Sequence, residues 1–311
     1  TMRAKSGEMQ VLKEKIKNKK SGILLYGIVP PKISSTPEDL ARLSELRSQR
    51  INGCECDGII IYDLQDESAR TQEKRTFEFS HTIDPALYYE RYLRTDKEAI
   101  IYRAVGKYDE EEFRKILKHK ASELSVFVGA SSKDEECKLH LSRAYEIKNE
   151  AAPHLCVGGI CIPERHEKNR DEHLKVAEKT ASGCEFFITQ AVYNVQNAKN
   201  FIDDYAALEC EKVPIIFTFT PCGSLKTLEF MKWLGISIPE FLQQRLINSV
   251  DILQSSAALC VEMFEFIYRY ALAKGVSVGA NVESVSTRRV EIEAALAMLK
   301  EIKGIIEKYE N

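Results

Sequence analysis

The residues best able to hydrogen-bond a ligand or move a proton fall in short clusters. They are Asp63 with Gln65, Glu164-Arg165-His166, Gln190 with Tyr193, and Asn281 with Glu283. Arg103, Ser131, Tyr26 and Phe219 stand at comparable places, each in or just after a short apolar run. Amides, carboxylates, a guanidinium and aromatic rings together suit a planar hydrogen-bonding heterocycle better than a metal or a bare phosphate. No metal site is expected, since the six histidines form no His-x-x-x-His pair and the nine cysteines no Cys-x-x-Cys. Cys161 and Cys222 have no histidine at a spacing that would activate a thiolate.

Each candidate also has a purely architectural reading. Gln190 can close a strand end, and Arg103 can pair with a neighbouring carboxylate. Asp63 and Glu283 can form salt bridges. Glu164-Arg165-His166 can open a helix, and Tyr193 and Phe219 can be core.

The elements that would position these groups alternate regularly. β-Branched or aromatic runs are centred on residues 23–29, 58–62, 99–105, 124–128, 155–160, 185–189, 213–218 and 276–281. Amphipathic helical stretches separate them, after a charged opening helix at residues 8–20. Thr36-Pro37-Glu38-Asp39 reads as a helix start, with Thr36 as N-cap and Pro37 at N1. Eight such units predict an α/β fold, a (β/α)8 TIM barrel of parallel strands. The opening helix would occupy residues 1–20 and the barrel 21–308 of a single domain spanning 1–311. An open doubly wound sheet is the alternative; it usually carries a Gly-x-Gly-x-x-Gly turn, and this sequence has none. In a barrel the candidate residues would gather at the C-terminal ends of the strands.

With 44 Lys plus Arg against 47 Asp plus Glu, the net charge of −3 argues against a nucleic-acid binder that relies on a basic surface. No apolar run approaches the roughly 20 residues that span a bilayer, and the charged opening does not read as a leader. Unpaired cysteine spacing predicts a reducing compartment, hence the cytoplasm. The aromatic stripe of Phe264, Phe266, Tyr268 and Tyr270 is read as packing, with an oligomer face as its alternative.

Several stretches resemble the methylenetetrahydrofolate reductase family. Gly183-Cys184-Glu185-Phe186-Phe187-Ile188-Thr189-Gln190 is similar to that family's Gly-Ala-x-x-x-Ile-Thr-Gln strand. Pro30-Pro31 matches the double proline that ends its first strand. Pro163-Glu164-Arg165-His166 matches its Pro-Glu-x-His, and Gly235-Ile236-x-Ile238-Pro239 the segment before its penultimate helices. The set is collinear over most of the chain. The resemblance implies a barrel that binds FAD and a reduced folate, and passes hydride from a nicotinamide through the flavin.

The departures are informative. Where the family's first strand carries its proton-donating Glu in Phe-Glu-Phe-Phe-Pro-Pro, this chain has Gly27. The family's Leu-Arg-Gly-Asp becomes Val128-Gly129-Ala130-Ser131, removing the Arg and Asp that hold flavin and folate. Arg103 replaces the flavin-holding His, Ile61 a Thr, and Ile162 a Tyr, whereas Gln190, Glu164 and His166 are retained. The resemblance therefore implies a binder of 5-methyl- or 5,10-methylene-tetrahydrofolate in one-carbon and methionine metabolism, without the usual FAD site. Its folate residues would come from Tyr26, Asp63, Gln65, Arg103, Ser131, Glu164, Arg165, His166, Gln190, Tyr193, Phe219, Asn281 and Glu283. Two alternatives stay open. One is a divergent FAD-dependent oxidoreductase in which Asp63 or Glu283 replaces the acid; the other is a non-catalytic subunit, with a homo-oligomer or partner protein.

Overall fold

The computed structural model describes residues 11–66, 72–119, 122–130 and 137–310. Eight parallel strands form a closed ring in chain order: β1 (Leu24–Ile28), β2 (Gly58–Ile61), β3 (Glu98–Ala104), β4 (Leu124–Val128), β5 (Cys156–Cys161), β6 (Cys184–Ala191), β7 (Ile215–Phe219) and β8 (Val278–Val282). β1 pairs with both β2 and β8, so the sheet has no free edge. This is the (β/α)8 TIM barrel predicted from the alternation.

The helices are α1 (Val11–Lys17), α2 (Pro37–Gly53), α3 (Pro85–Arg91), α4 (Glu110–Lys118), α5 (Leu141–Ala151), α6 (Pro163–Asn169), α7 (Glu172–Ala181), α8 (Val195–Ala207), α9 (Leu225–Trp233), α10 (Glu240–Ile247), α11 (Ile252–Ala273) and α12 (Arg289–Glu310). Their starts follow local chemistry. Thr36 caps α2 by accepting from the Asp39 N–H, and Asp109 forms a full capping box with Glu112 on α4. After β5, Pro163 presets the first turn of α6, and Arg170, left-handed at φ 50°, ends it before α7. α11 begins at Ile252 because Asp251 accepts from the Gln254 N–H and caps it.

The core has two shells. Strand residues facing outward pack against the helices in the larger one. Those facing inward fill the barrel, where Ile23, Leu25, Ile60, Ile100, Tyr102, Leu124, Val126, Cys156, Phe186, Ile188 and Ile216 join Leu12 and Ile16 of α1. α1 thus plugs the N-terminal end of the ring. Burying Leu12 and Ile16 stabilises that closure by roughly 1.5–3 kcal/mol each. The Leu12 N–H also donates to the Glu98 carboxylate at 2.6 Å, and Lys13 pairs with Glu123. With that end plugged, the C-terminal ends of the strands are where a barrel of this kind places its site. Among the described residues, no helix is long and apolar enough to cross a membrane.

Candidate functional site

Strand alternation decides which candidates line the mouth. Residues 23, 25 and 27 at β1 face inward, as do 58, 60 and 62 at β2 and 186 and 188 on β6, beyond which the register against β7 shifts before Ala191. The mouth therefore gathers Gly27, Tyr62, Tyr102, Gln190, Thr218, Asn281 and Glu283.

A hydrogen-bonded group lies at its floor. The fully buried Asn281 amide donates to the Tyr62 hydroxyl at 2.9 Å and to Thr218 Oγ1 at 3.0 Å. Its carbonyl Oδ1 is buried with no hydrogen-bond partner. An orphaned acceptor of this kind costs about 1–3 kcal/mol, which a ligand N–H would recover. The Tyr62 ring meets Tyr102 edge to face at 4.8 Å between centroids. Glu283 is half-buried beside Tyr62, and burial pushes its pKa above the ordinary carboxyl range. Burial, and then the Glu283 charge, raise the Tyr62 phenol well above its usual value. On the β6 side, the Gln190 amide donates to the Leu234 carbonyl at 2.8 Å, and that bond leaves its own carbonyl oxygen to accept.

Gln65, at the rim, ties β2 to the end of β4 through a 3.2 Å bond to the Gly129 carbonyl. Asp63 is saturated: its carboxylate accepts from the Ala104 N–H at 2.8 Å, the Tyr108 hydroxyl at 2.9 Å and Lys107 Nζ at 2.6 Å. That makes it an anchor for the loop after β3, and Glu283 the better-placed acid of the two candidates.

Other candidates face the outer shell. Tyr26 points toward α2, where burial pushes its phenol up to about 12. Arg103 binds Asp84, the N-cap of α3, at 2.5 Å. Tyr193 donates to the Thr220 carbonyl at 2.6 Å beneath α11, and Phe219 packs edge to face on Phe264 at 5.8 Å. None of these four side chains opens into the mouth. The physical reason is the two-residue period, which sends neighbours on a strand to opposite faces. His166 is also turned outward: its Nε2 sits 2.8 Å from Asp204 of α8, which holds Arg170 on the same oxygen at 2.8 Å. His166, His173 and Asp204 bring ligand atoms within 4.8 Å of one another, but the Arg170 guanidinium occupies the shared carboxylate, and the cluster latches α6 to α8. Glu164, in the first turn of α6, buries both carboxylate oxygens without a partner; burial, reinforced by Glu172, pushes it up to about 7. Arg165 is exposed, and Ser131 lies outside the described residues.

Sequence reasoning missed Tyr62, which only the 58-60-62 inward set on β2 would have flagged, and Tyr102, where Arg103 drew attention one residue away. It also missed a strap. The loop after β2 pairs antiparallel with the loop after β1 through Lys32 and Thr82, and reaches α9. There the Arg75 guanidinium lies 5.2 Å from the Trp233 ring centre and 5.1 Å from that of Phe79, and Trp233 donates to the Glu73 carbonyl at 3.1 Å. Since α9 follows β7, the strap spans the rim above β1 and β8.

The closed ring, plugged at one end and carrying amide, phenol and carboxyl groups at the other, defines a (β/α)8 barrel with its polar groups at the C-terminal ends of the strands. Within that class, the chain belongs to the methylenetetrahydrofolate reductase family, whose model matches residues 95–278, more than half of its length. The match leaves Gly27, Tyr62 and Glu283 outside it. Methylenetetrahydrofolate reductase 1 of Schizosaccharomyces pombe (strain 972 / ATCC 24843) is 24% identical over 160 residues, which is 50% of this chain and 25% of that protein. The chain thus spans about a quarter of that relative's length. A solved structure from Clostridium thermocellum is 48% identical, covers 94% of this chain and 99% of its own, and superposes with a TM-score of 0.84. It is described as an uncharacterized protein that binds two copies of 5-methyl-5,6,7,8-tetrahydrofolic acid.

Proposed function

We propose that the mouth of this barrel binds a reduced folate, 5-methyl- or 5,10-methylene-tetrahydrofolate, and serves one-carbon metabolism. The observation that carries this reading is the Clostridium thermocellum protein, 48% identical over nearly the whole chain and described as a 5-methyltetrahydrofolate binder. The chemistry of the mouth supports it. A reduced pterin presents ring N–H and amino donors along one edge, and Asn281 Oδ1 and the Gln190 carbonyl are acceptors that could meet it. Tyr62 and Tyr102 offer a ring an aromatic wall.

The residues present do not suit the family's flavin. Arg103 stands where the flavin-holding His is expected, and its guanidinium is committed to Asp84 on the outer face. Gly129 has no side chain to hold a ring. This supports folate binding without the usual FAD site. All nine cysteines are free thiols, which supports a reducing compartment such as the cytoplasm.

The test is a visible spectrum of the purified protein, followed by separate calorimetric titrations with 5-methyltetrahydrofolate and FAD. The expected result is a colourless protein that binds the folate and not FAD. Gln190→Ala should weaken the folate by about tenfold, the worth of one buried hydrogen bond. A yellow protein that loads FAD, or no folate heat at all, would overturn the reading.

A further inference from the structure

Position 27 has lost its acid, but the site has not lost an acid. The β1–β8 register pairs Leu25 with Asn281 and Tyr26 with Val282, so its next step sets Gly27 beside Glu283. Both residues lie at one level of the ring, on the inward face of adjacent strands. The space that a side chain on residue 27 would fill is taken by Tyr62, whose hydroxyl lies 2.9 Å from an ideal Cβ there. That hydroxyl accepts from the Asn281 amide and lies beside Glu283. Carboxyl, phenol and amide thus form one connected group around a position the backbone leaves bare.

We propose that Glu283 is the proton donor of this site, delivering its proton to the alkylated ring nitrogen of a bound reduced folate, with Tyr62 positioning it. This rests on the folate reading above. The proton leaves a Glu283 carboxyl oxygen and forms an N–H bond on the ligand nitrogen. The nitrogen lone pair forms that bond, and the O–H electrons stay on the new carboxylate. No oxidant or reductant takes part. Before transfer, burial favours the neutral acid; afterwards the Tyr62 hydroxyl donates to the new carboxylate. Tyr102, from β3, is the other titratable group that faces Glu283, and it remains a neutral phenol throughout. Asp63 is engaged elsewhere, accepting from the Ala104 N–H, the Tyr108 hydroxyl and Lys107 Nζ at the rim.

The experiment reads the protonation state of the bound ligand. Ultraviolet difference spectra of 5-methyltetrahydrofolate on the whole protein are compared with the free ligand in acid and at neutral pH, and affinity is measured in parallel by calorimetry. Near pH 7 the wild-type complex should show the N-protonated spectrum. Glu283→Gln, of the same shape, should lower the protonated fraction of the ligand it binds by about tenfold or more. Tyr62→Phe should keep the protonated species and move the pH at which it disappears. If Glu283→Gln does not fold, Glu283→Asp serves, retaining the protonated spectrum where Glu283→Ala loses it. A protonated ligand on Glu283→Gln or Glu283→Ala, or a neutral one on the wild type, would sink the proposal while folate binding stands. Absence of any folate heat on the wild type would instead remove the reading beneath it, and the proposal with it.

Discussion

The Tyr62 hydroxyl occupies the space that a side chain on Gly27 would need. An ideal Cβ at residue 27 would stand 2.9 Å from that oxygen, 3.0 Å from the ring's Cε2 and 3.2 Å from Asn281 Oδ1. The two positions are therefore coupled: a glycine on β1 admits the tyrosine from β2. Gly27→Ala should destabilise the protein by about 1–3 kcal/mol through overpacking. Tyr62→Phe removes the nearest atom, so the double variant should lose less than the sum of the single ones in denaturant unfolding. Additive losses would mean that the two side chains do not share that space.

Glu164 makes stability depend on pH in the direction opposite to an ordinary ion-paired carboxylate. Its folded pKa is raised to about 7 by burial, so its neutral form is the one the fold favours. The contribution is full below the unfolded value near pH 4 and is lost as pH rises through about 7. Glu164→Gln removes the ionisation. Its stability relative to wild type should climb by about 2–3 kcal/mol between about pH 5 and pH 8. Thermal or urea unfolding across that range checks it, and parallel curves for the two proteins would contradict it.

His166 is held by Asp204 rather than by the mouth. Asp204→Ala would leave Nε2 of a histidine that is 1% exposed without its partner, beside an Nδ1 that already has none. The expected cost is about 1–3 kcal/mol of stability, with folate affinity unchanged to within about twofold. Asp204→Asn, which keeps an acceptor, should recover part of it. Weakened ligand binding at unchanged stability would put the histidine in the ligand site after all.

The strap has a built-in reporter, because Trp233 is the chain's one tryptophan. Arg75→Ala removes the cation from among Phe79, Phe230 and Trp233, a contact worth about 1 kcal/mol. Tryptophan emission should shift to the red, and folate should leave several-fold faster in stopped flow. An unchanged spectrum would show that the aromatic contacts hold the strap without the guanidinium.

How much of this was legible in the sequence differs by level. The helix start at Thr36, the order of eight strands and the family's motifs were all readable, because capping and propensity are local properties. α6 was not, since Pro163-Glu164-Arg165-His166 reads equally as a polar loop until Arg170 closes it. Among the site candidates, Gln190, Asn281 and Glu283 line the mouth, whereas Tyr26, Arg103, Tyr193, Phe219 and His166 turn to the helical layer.

What the chain alone determined is the rhythm of strand and helix and the inventory of polar groups at strand ends. What only the closed ring decided is the side of the sheet on which each group falls. A barrel strand is buried on both faces, as the uniformly buried residues of β1, β2, β7 and β8 show, so no polar–apolar alternation records which residues look inward. That parity is set by register between neighbouring strands, and it is register that places Glu283 beside Gly27 and brings Tyr62 into the space between them.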